Sequence, residues 1–313
     1  MILDVNLAHF ESGTPRQRSA VVRGVMTSLK TGFVFLDHDL SPTLLDDVYA
    51  ALAQFFSLSQ TVKDSYTLPG SFGQSGYTGL LVETAEGEIN ADWKEMLNWS
   101  VATSQNHPSR LRFPELYHDP VFPETDVPGI TRLLAEFHTK VFNLQRRFLH
   151  IVADGLSVAP SFFDRFVADH TTLSRAIHYP AMTLAPNTEH VWAAAHADIN
   201  LVTALPRATA PGLQLLVDGS WHDVVAPDGA AVINTGLMLE TLSNGLIPAG
   251  LHRVVAHPDA PGDRYSIVQF CHPRREAILT PFPTCVSATR PLAYPSQTSA
   301  DALSQVLHAI NLR

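Results

Sequence analysis

Cysteine is almost missing from this sequence: the 313 residues contain two, Cys271 and Cys285. They cannot build a disulfide framework, and they match neither a zinc-ligand spacing nor a CxxC redox pair, so a reducing compartment is expected. Positive charge is also scarce. Lys and Arg together number 21 against 30 Asp and Glu, a formal net charge of -9, and the basic residues are scattered. Phosphate neutralisation needs clustered cations, so a nucleic-acid surface is excluded. No run of 18 apolar residues occurs, which excludes a membrane-spanning helix. The opening "MILDVNLAHFESGTPRQ" lacks a basic start followed by an apolar stretch and does not read as a signal peptide. Internal repeats and low-complexity tracts are absent too. The expectation is a cytoplasmic protein with a small-molecule partner, no nucleic acid and no membrane, and with its oligomeric state open.

Hydrophobic residues at 45 % and charged residues at 16 % allow a substantial core in one large domain or two small ones. "TGFVFLDHD" (31–39) reads as a short strand. "SPTLLDDVYAALAQFFSL" (41–58) then reads as a helix, with Ser41 as N-cap, Pro42 in the first turn and a helical apolar stripe. Residues 67–127 are rich in Gly, Pro, Ser and Asn and predict loops. "ITRLLAEFHTKVFNLQRRFLHIVADG" (130–155) predicts a long spine helix ending at Gly155. After residue 170 short β-prone segments follow closely, at 173–179, 201–205, 212–217, 221–226, 230–236, 252–257 and 265–272. Turn signals such as Asp218-Gly219 and Pro261-Gly262-Asp263 separate them. Such punctuation predicts a sandwich or jelly roll. The chain divides into an N-terminal region of helices and short strands (1–120), the spine helix and its connection (121–170), a β core (171–280) and a C-terminal tail with a helix (281–313).

The chemistry centres on "WAAAHADINLVTAL" (192–205), where His196 and Asp198 interrupt an apolar run. On a strand, residues i and i+2 share a face, so the imidazole and the carboxylate project together. They form two-thirds of a 2-His-1-carboxylate site for Fe(II). Burying the aspartate without a partner is costly, so something must stabilise it. His252 stands at the start of a later strand as the third ligand, with His222, His257 and His272 as competitors. Further on, "DRYSIVQF" places Arg264 and Ser266 on one strand face, a guanidinium and a hydroxyl suited to clamping a carboxylate.

The ordered set HxD, distant His, RxS resembles the Fe(II)- and 2-oxoglutarate-dependent dioxygenases of the isopenicillin N synthase-like family. The likeness extends through "TGFVFLDHD", "GYTGLLVETAEGEINADWKEMLN" (76–98), "IHYP" (177–180), "GLQLLVDGSWHDVVAPDGAAVINTG" (212–236) and "SNGLIPAGLHRVV" (243–255). It implies a mixed α/β, mainly β fold: a double-stranded β-helix (jelly roll) core with supporting N-terminal helices. It also implies that His196, Asp198 and His252 bind Fe(II) as the catalytic centre. Arg264 and Ser266 would hold the distal carboxylate of the cosubstrate 2-oxoglutarate, with Tyr179 reaching the same group. O2 is the oxidant, succinate and CO2 are released, and an unactivated C–H bond of a small molecule is oxidised, by hydroxylation or by desaturation or cyclisation.

Departures from the family pattern are local. Ile177 stands where plant-type relatives have asparagine, and Leu237 where an acid usually closes "NxGD". Arg175 either meets an anionic substrate or makes a structural ion pair, whereas Trp93, Lys94 and Glu95 read as packing and a solvated ion pair. Two other functions fit parts of the pattern: a 2-oxoglutarate-independent Fe(II) oxidase like isopenicillin N synthase, and a non-catalytic jelly-roll binding protein. A zinc hydrolase lacks a general base at a recognisable spacing.

Overall fold

A computed structural model of the chain describes residues 1–168 and 171–309; the ends of the expected connection and C-terminal tail, residues 169–170 and 310–313, lie outside the described residues. Local signals start the helices. Thr14 and Gln17 form a reciprocal capping box ahead of the helix Pro15–Ser28. The Ser41 side chain accepts from the Leu44 N–H at the start of Pro42–Phe56, and that helix buries Leu44, Leu45, Val48, Tyr49, Leu52, Phe55 and Phe56. The helix Ile130–Gly155 spans the range that the sequence predicts.

The strands, in chain order, begin with β1 (Asp4–Asn6), β2 (Phe33–Asp37), β3 (Gly76–Thr78), β4 (Glu95–Trp99) and β5 (Leu173–Tyr179). Next come β6 (Ala193–His196), β7 (Val202–Leu205), β8 (Leu213–Val217) and β9 (Ser220–Asp223). β10 (Ala230–Thr235), β11 (His252–Val254) and β12 (Arg264–Cys271) complete the core. They form an eight-stranded sheet, ordered β1-β2-β10-β7-β12-β5-β4-β3, and a four-stranded sheet, ordered β6-β11-β8-β9. Only β1 and β2 run parallel; every other pair in the two sheets is antiparallel. The inner faces of the two sheets meet in a jelly roll, and strands from the first hundred residues extend the larger sheet on both sides.

Period-two alternation decides what each strand offers. On β5 and β12 the outward residues Ser174 and Gln269 face the spine helix, and Gln269 donates to Ser174 Oγ at 2.8 Å and to the His138 carbonyl at 3.0 Å. Gln145 of that helix donates to the carbonyls of Val202 (3.2 Å) and Gln269 (2.7 Å), pinning it to the back of β7 and β12. Around these bonds pack Phe137, Val141, Leu144, Phe148 and Leu149, each nearly or fully buried. Burying one such side chain contributes about 1.5–3 kcal/mol, so the larger sheet is held from behind. The inward residues of the same strands are left for the cavity between the sheets. Among the described residues no helix is long and apolar enough to cross a membrane.

Candidate active site

β6 and β11 pair so that His196 and His252 stand directly opposite each other. Their ring centroids lie 4.4 Å apart. Each Nδ1 is spent on a backbone carbonyl, that of Ala194 at 2.8 Å for His196 and that of Gly250 at 2.9 Å for His252. A carbonyl only accepts, so each Nδ1 carries a proton and Nε2 is the atom left on each ring to ligate. Burial first, then the neighbouring His196, pushes the His252 pKa down to about 4, so this imidazole is neutral and ready to ligate at pH 7.

Asp198 lies two residues beyond the end of β6 rather than on it, which corrects the expected shared strand face. Its position is set by the following turn: the Leu237 N–H donates to the Asp198 carbonyl at 2.8 Å. The Oδ2 atom accepts from Thr203 Oγ1 at 2.5 Å and Asn234 Nδ2 at 2.7 Å. These are the partners that the buried carboxylate required. Burial would raise the Asp198 pKa, but His252, His196 and the two hydrogen bonds outweigh it and hold the carboxyl below its ordinary value. Oδ1 remains, 3.9 Å from His196 Nε2. One ligand atom from each of His196, Asp198 and His252 lies within 4.8 Å of the other two. Two imidazole nitrogens and one carboxylate oxygen are a donor set suited to Fe(II), and three ligands would leave positions for other molecules.

The competing histidines go elsewhere. His222 is exposed on β9, and His257 sits on a surface turn 3.9 Å from Asp259. His272 is buried and lines the same cavity, but it is not among the residues whose ligand atoms cluster.

Arg264, Ser266 and Tyr179 line the cavity with the triad. Arg264 and Tyr179 are cross-strand partners, and the guanidinium carbon lies 5.0 Å from the tyrosine ring centroid. Arg264 Nε donates to the Ala210 carbonyl at 3.0 Å. Its Nη1 is buried with no hydrogen-bond partner among the described residues. An orphaned guanidinium N–H in a closed site fits a carboxylate, and Ser266, on the same face two residues on, adds a hydroxyl. Ile177 pairs with Ser266 and also lines the cavity, giving that part of the floor an apolar surface. Leu237 holds Asp198 through its backbone only and is not part of the lining.

The segment Trp93–Glu95 requires a correction. Its charges are not solvated: Lys94 is 5 % and Glu95 2 % exposed. Lys94 turns into the cavity and meets Glu83 Oε1 and Asp92 Oδ2, each at 2.7 Å. Glu95 turns the other way, to Lys63 Nζ and His178 Nδ1, each at 2.7 Å, and to the Tyr77 hydroxyl. Alternation along the chain entering β4 separates the two neighbours: Lys94 pairs with the nearby Asp92 and Glu83, whereas Glu95 finds partners far away in sequence. Arg175 lines the cavity too, yet its nitrogens are taken by Asn98 Oδ1 (2.7 Å), Glu83 Oε2 (3.2 Å) and the Gly73 carbonyl (3.2 Å). Two contributions escaped sequence reading: Glu83, from an aperiodic loop, and Leu303, Val306 and Leu307 of the helix Ser299–Ala309, which cover part of the cavity.

Comparison with known proteins agrees with this geometry. Residues 170–273 match the family model of the 2OG-Fe(II) oxygenase superfamily, and residues 3–124 match that of the non-haem dioxygenase in morphine synthesis N-terminal region. Leucoanthocyanidin dioxygenase of Malus domestica is 28% identical over 300 residues, 93% of this chain and 76% of that protein. Azadirone synthase of Melia azedarach is 26% identical over 274 residues, 84% of this chain and 80% of that one. Among solved structures, a 2OG-Fe(II) oxygenase family protein from Caulobacter crescentus superposes with a TM-score of 0.86 at 29% identity, covering 99% of both chains. A full-length Neurospora crassa protein in complex with alpha-KG and thymine superposes with a TM-score of 0.85 at 22% identity, over 98% of this chain and 96% of that one, a likeness of fold. With two family models spanning most of its length and the ligand set in place between the sheets, the chain belongs to the Fe(II)- and 2-oxoglutarate-dependent dioxygenases of the isopenicillin N synthase-like superfamily.

Proposed function

We propose that this protein couples the oxidative decarboxylation of 2-oxoglutarate to oxidation of an unactivated C–H bond in a small molecule, by hydroxylation or by desaturation or cyclisation. His196, Asp198 and His252 serve as the iron ligands, and Arg264, Ser266 and Tyr179 as the binding group for the distal carboxylate of 2-oxoglutarate. The observation that carries this reading is the shared cavity: three ligand atoms within 4.8 Å of one another, lining one pocket with a buried guanidinium whose Nη1 lacks a partner among the described residues.

When bound, Fe(II) supplies the redox chemistry that consumes O2 and 2-oxoglutarate and yields succinate, CO2 and oxidised product. The protein supplies position and environment. The Ala194 and Gly250 carbonyls fix the tautomers of the two histidines, while Thr203 and Asn234 hold one oxygen of Asp198 so that the other is presented. Arg264 and Ser266 anchor the far end of the cosubstrate and so orient its 2-oxo acid end toward the ligands. Leu205, Leu213, Val232 and Val254 add apolar surface to the lining of the same cavity. A cytoplasmic location belongs to the same reading; it is supported by two cysteines, both free and buried.

The test is succinate release from 2-oxoglutarate by the Fe(II)-loaded protein in air. Wild type is expected to release succinate and CO2 in equal amounts, and Arg264→Met to lose at least nine-tenths of the rate at low 2-oxoglutarate. Oxidised product formed with no 2-oxoglutarate consumed would transfer the function to a cosubstrate-independent oxidase.

A further inference from the structure

Resting on that reading, the far end of the row that begins at Arg264 carries information about the substrate. β12 sends Arg264, Ser266, Val268 and Phe270 into the cavity in turn, with His272 just past its end. Phe270 pairs with Thr203 of β7, whose hydroxyl donates to Asp198. Arg264 thus stands three two-residue steps from the level of that hydroxyl, and His272 follows one step beyond it on the other side.

Past His272 the chain runs under the C-terminal helix. Thr171 Oγ1 donates to the carbonyls of His272 (3.1 Å) and Pro273 (3.0 Å), and the Ala300 N–H, at the start of the helix Ser299–Ala309, donates to the Arg275 carbonyl at 2.9 Å. These bonds fix the backbone while both side chains are buried: His272 is 2 % and Arg275 4 % exposed. Arg275 lines a small annex that shares Gln74 and Leu173 with the main cavity, which His272 lines. Its Nε and Nη1 have no hydrogen-bond partner among the described residues, and neither has His272 Nδ1. Glu276, next in sequence, makes no ion pair with this guanidinium and accepts from Ser109 Oγ at 2.8 Å instead.

Burial brings the Arg275 pKa down to about 10, against the smaller opposing pull of Tyr117 and Glu276, so the group is still a cation at pH 7. Burial, then Arg275 itself, holds His272 well below its ordinary value; its ring is neutral there and can donate from Nδ1. A buried cation with idle N–H groups is costly, and a group with two anionic oxygens matches its planar fork. The other cations beside the cavity are not open in this way. Lys94 is held by Glu83 and Asp92, and Arg175 by Glu83 and Asn98.

We propose that the substrate carries a carboxylate, seated by Arg275 with His272 as a second donor, on an apolar body that packs against Leu173, Phe270, Leu303 and Leu307. Two guanidinium groups then divide the work, Arg264 taking the cosubstrate at one end of the row and Arg275 the substrate at the other. Arg275 is a specificity-determining residue and takes no part in the bond breaking.

3-Phenylpropanoate and 3-phenylpropanamide are probes of one shape that differ in charge. Their affinities are measured by anaerobic calorimetric titration of the Fe(II)-loaded protein with 2-oxoglutarate at saturation, so that Arg264 is not open to the acid. The acid is expected to bind about 10- to 100-fold tighter than the amide, the worth of hydrogen bonds to a charged group. Arg275→Met should abolish that preference and Arg275→Lys should restore part of it, with circular dichroism as the control for folding. Equal or tighter binding of the amide to wild type, a measurement that needs no variant to fold, overturns the proposal. So does a preference for the acid that persists in a folded Arg275→Met. Chloride and inorganic phosphate are titrated in parallel; either one binding more tightly than the acid would assign the site to a resident inorganic anion and also overturn it. Failure of 2-oxoglutarate to bind in the preliminary titration would strike the oxygenase reading instead, and the dependence of acid binding on Arg275 is read in either case.

Discussion

Replacing Asn234 by leucine removes one hydrogen bond to the carboxylate proposed to bind iron while keeping side-chain volume. Asn234 Nδ2 lies 2.7 Å from Asp198 Oδ2, and Asp198 is 7 % exposed, so water cannot readily replace the lost donor. A hydrogen bond to a charged group contributes about 1.5–3 kcal/mol. At about 1.4 kcal/mol per decade, the substitution should weaken Fe(II) binding by roughly 10- to 100-fold, the range typical of outer-shell partners of metal ligands. The assay is anaerobic competition for Fe(II) against a chelator of known affinity, with circular dichroism as the control for folding. Thr203→Val removes the other donor, at 2.5 Å, and should cost a similar factor. Because both bonds serve one oxygen, the double variant should depart from additivity. Iron affinity within threefold of wild type in a folded Asn234→Leu protein would refute the view that this bond positions the ligand.

Arg264→Lys keeps the charge but loses the planar fork and the Nε bond to Ala210; KM for 2-oxoglutarate should rise about 100-fold in steady-state assays, with kcat at saturation within threefold. Gly236→Ala would place a Cβ 2.3 Å from the Asn200 carbonyl oxygen and 2.7 Å from that of Asp198, so the turn carrying the carboxylate must shift. Tm should fall and iron affinity should drop at least tenfold, whereas Gly262→Ala, which meets nothing within 4 Å, should change neither. Burial opposes ionisation of Glu83, but Lys94 and Arg175 outweigh it and bring the pKa from 4.5 down to about 2. The unfolded chain then binds the proton first, so this group's stabilisation is complete above pH 4.5 and is lost as pH falls toward 2. It amounts to roughly 3 kcal/mol. In urea unfolding of Glu83→Gln, that part of the acid dependence should be missing.

The sequence legible at greatest length was the spine: twelve buried positions at helical spacing mark Ile130–Gly155, because a helix against a sheet must repeat its apolar face every three or four residues. The three residues proposed as iron ligands were legible for a different reason. Two polar side chains in an apolar run need partners, and few arrangements other than a metal site reward them. Asp198 nevertheless reached its place by a turn after β6 rather than along a strand, a detail that depends on Leu237 and Asn234 some forty residues away. The Lys94–Glu83–Arg175 cluster was not legible. Its members come from a loop, the residue just before β4 and the inner strand β5, and nothing in the local pattern distinguishes a buried charge from a solvated one. For the same reason His272 counted only as a competing ligand, and the C-terminal helix had no assigned part in the site. Periodicity reports which face of an element is buried but not what lies across the cavity from it.

The most direct test of the central claim is anaerobic titration of the iron-free protein with Fe(II) in the presence of 2-oxoglutarate. One ferrous ion per chain is expected, with a weak visible charge-transfer band that needs both components and that disappears in His252→Ala. A stoichiometry near zero, or a band unchanged when His252 is removed, would contradict the convergence of His196, Asp198 and His252 on a single iron.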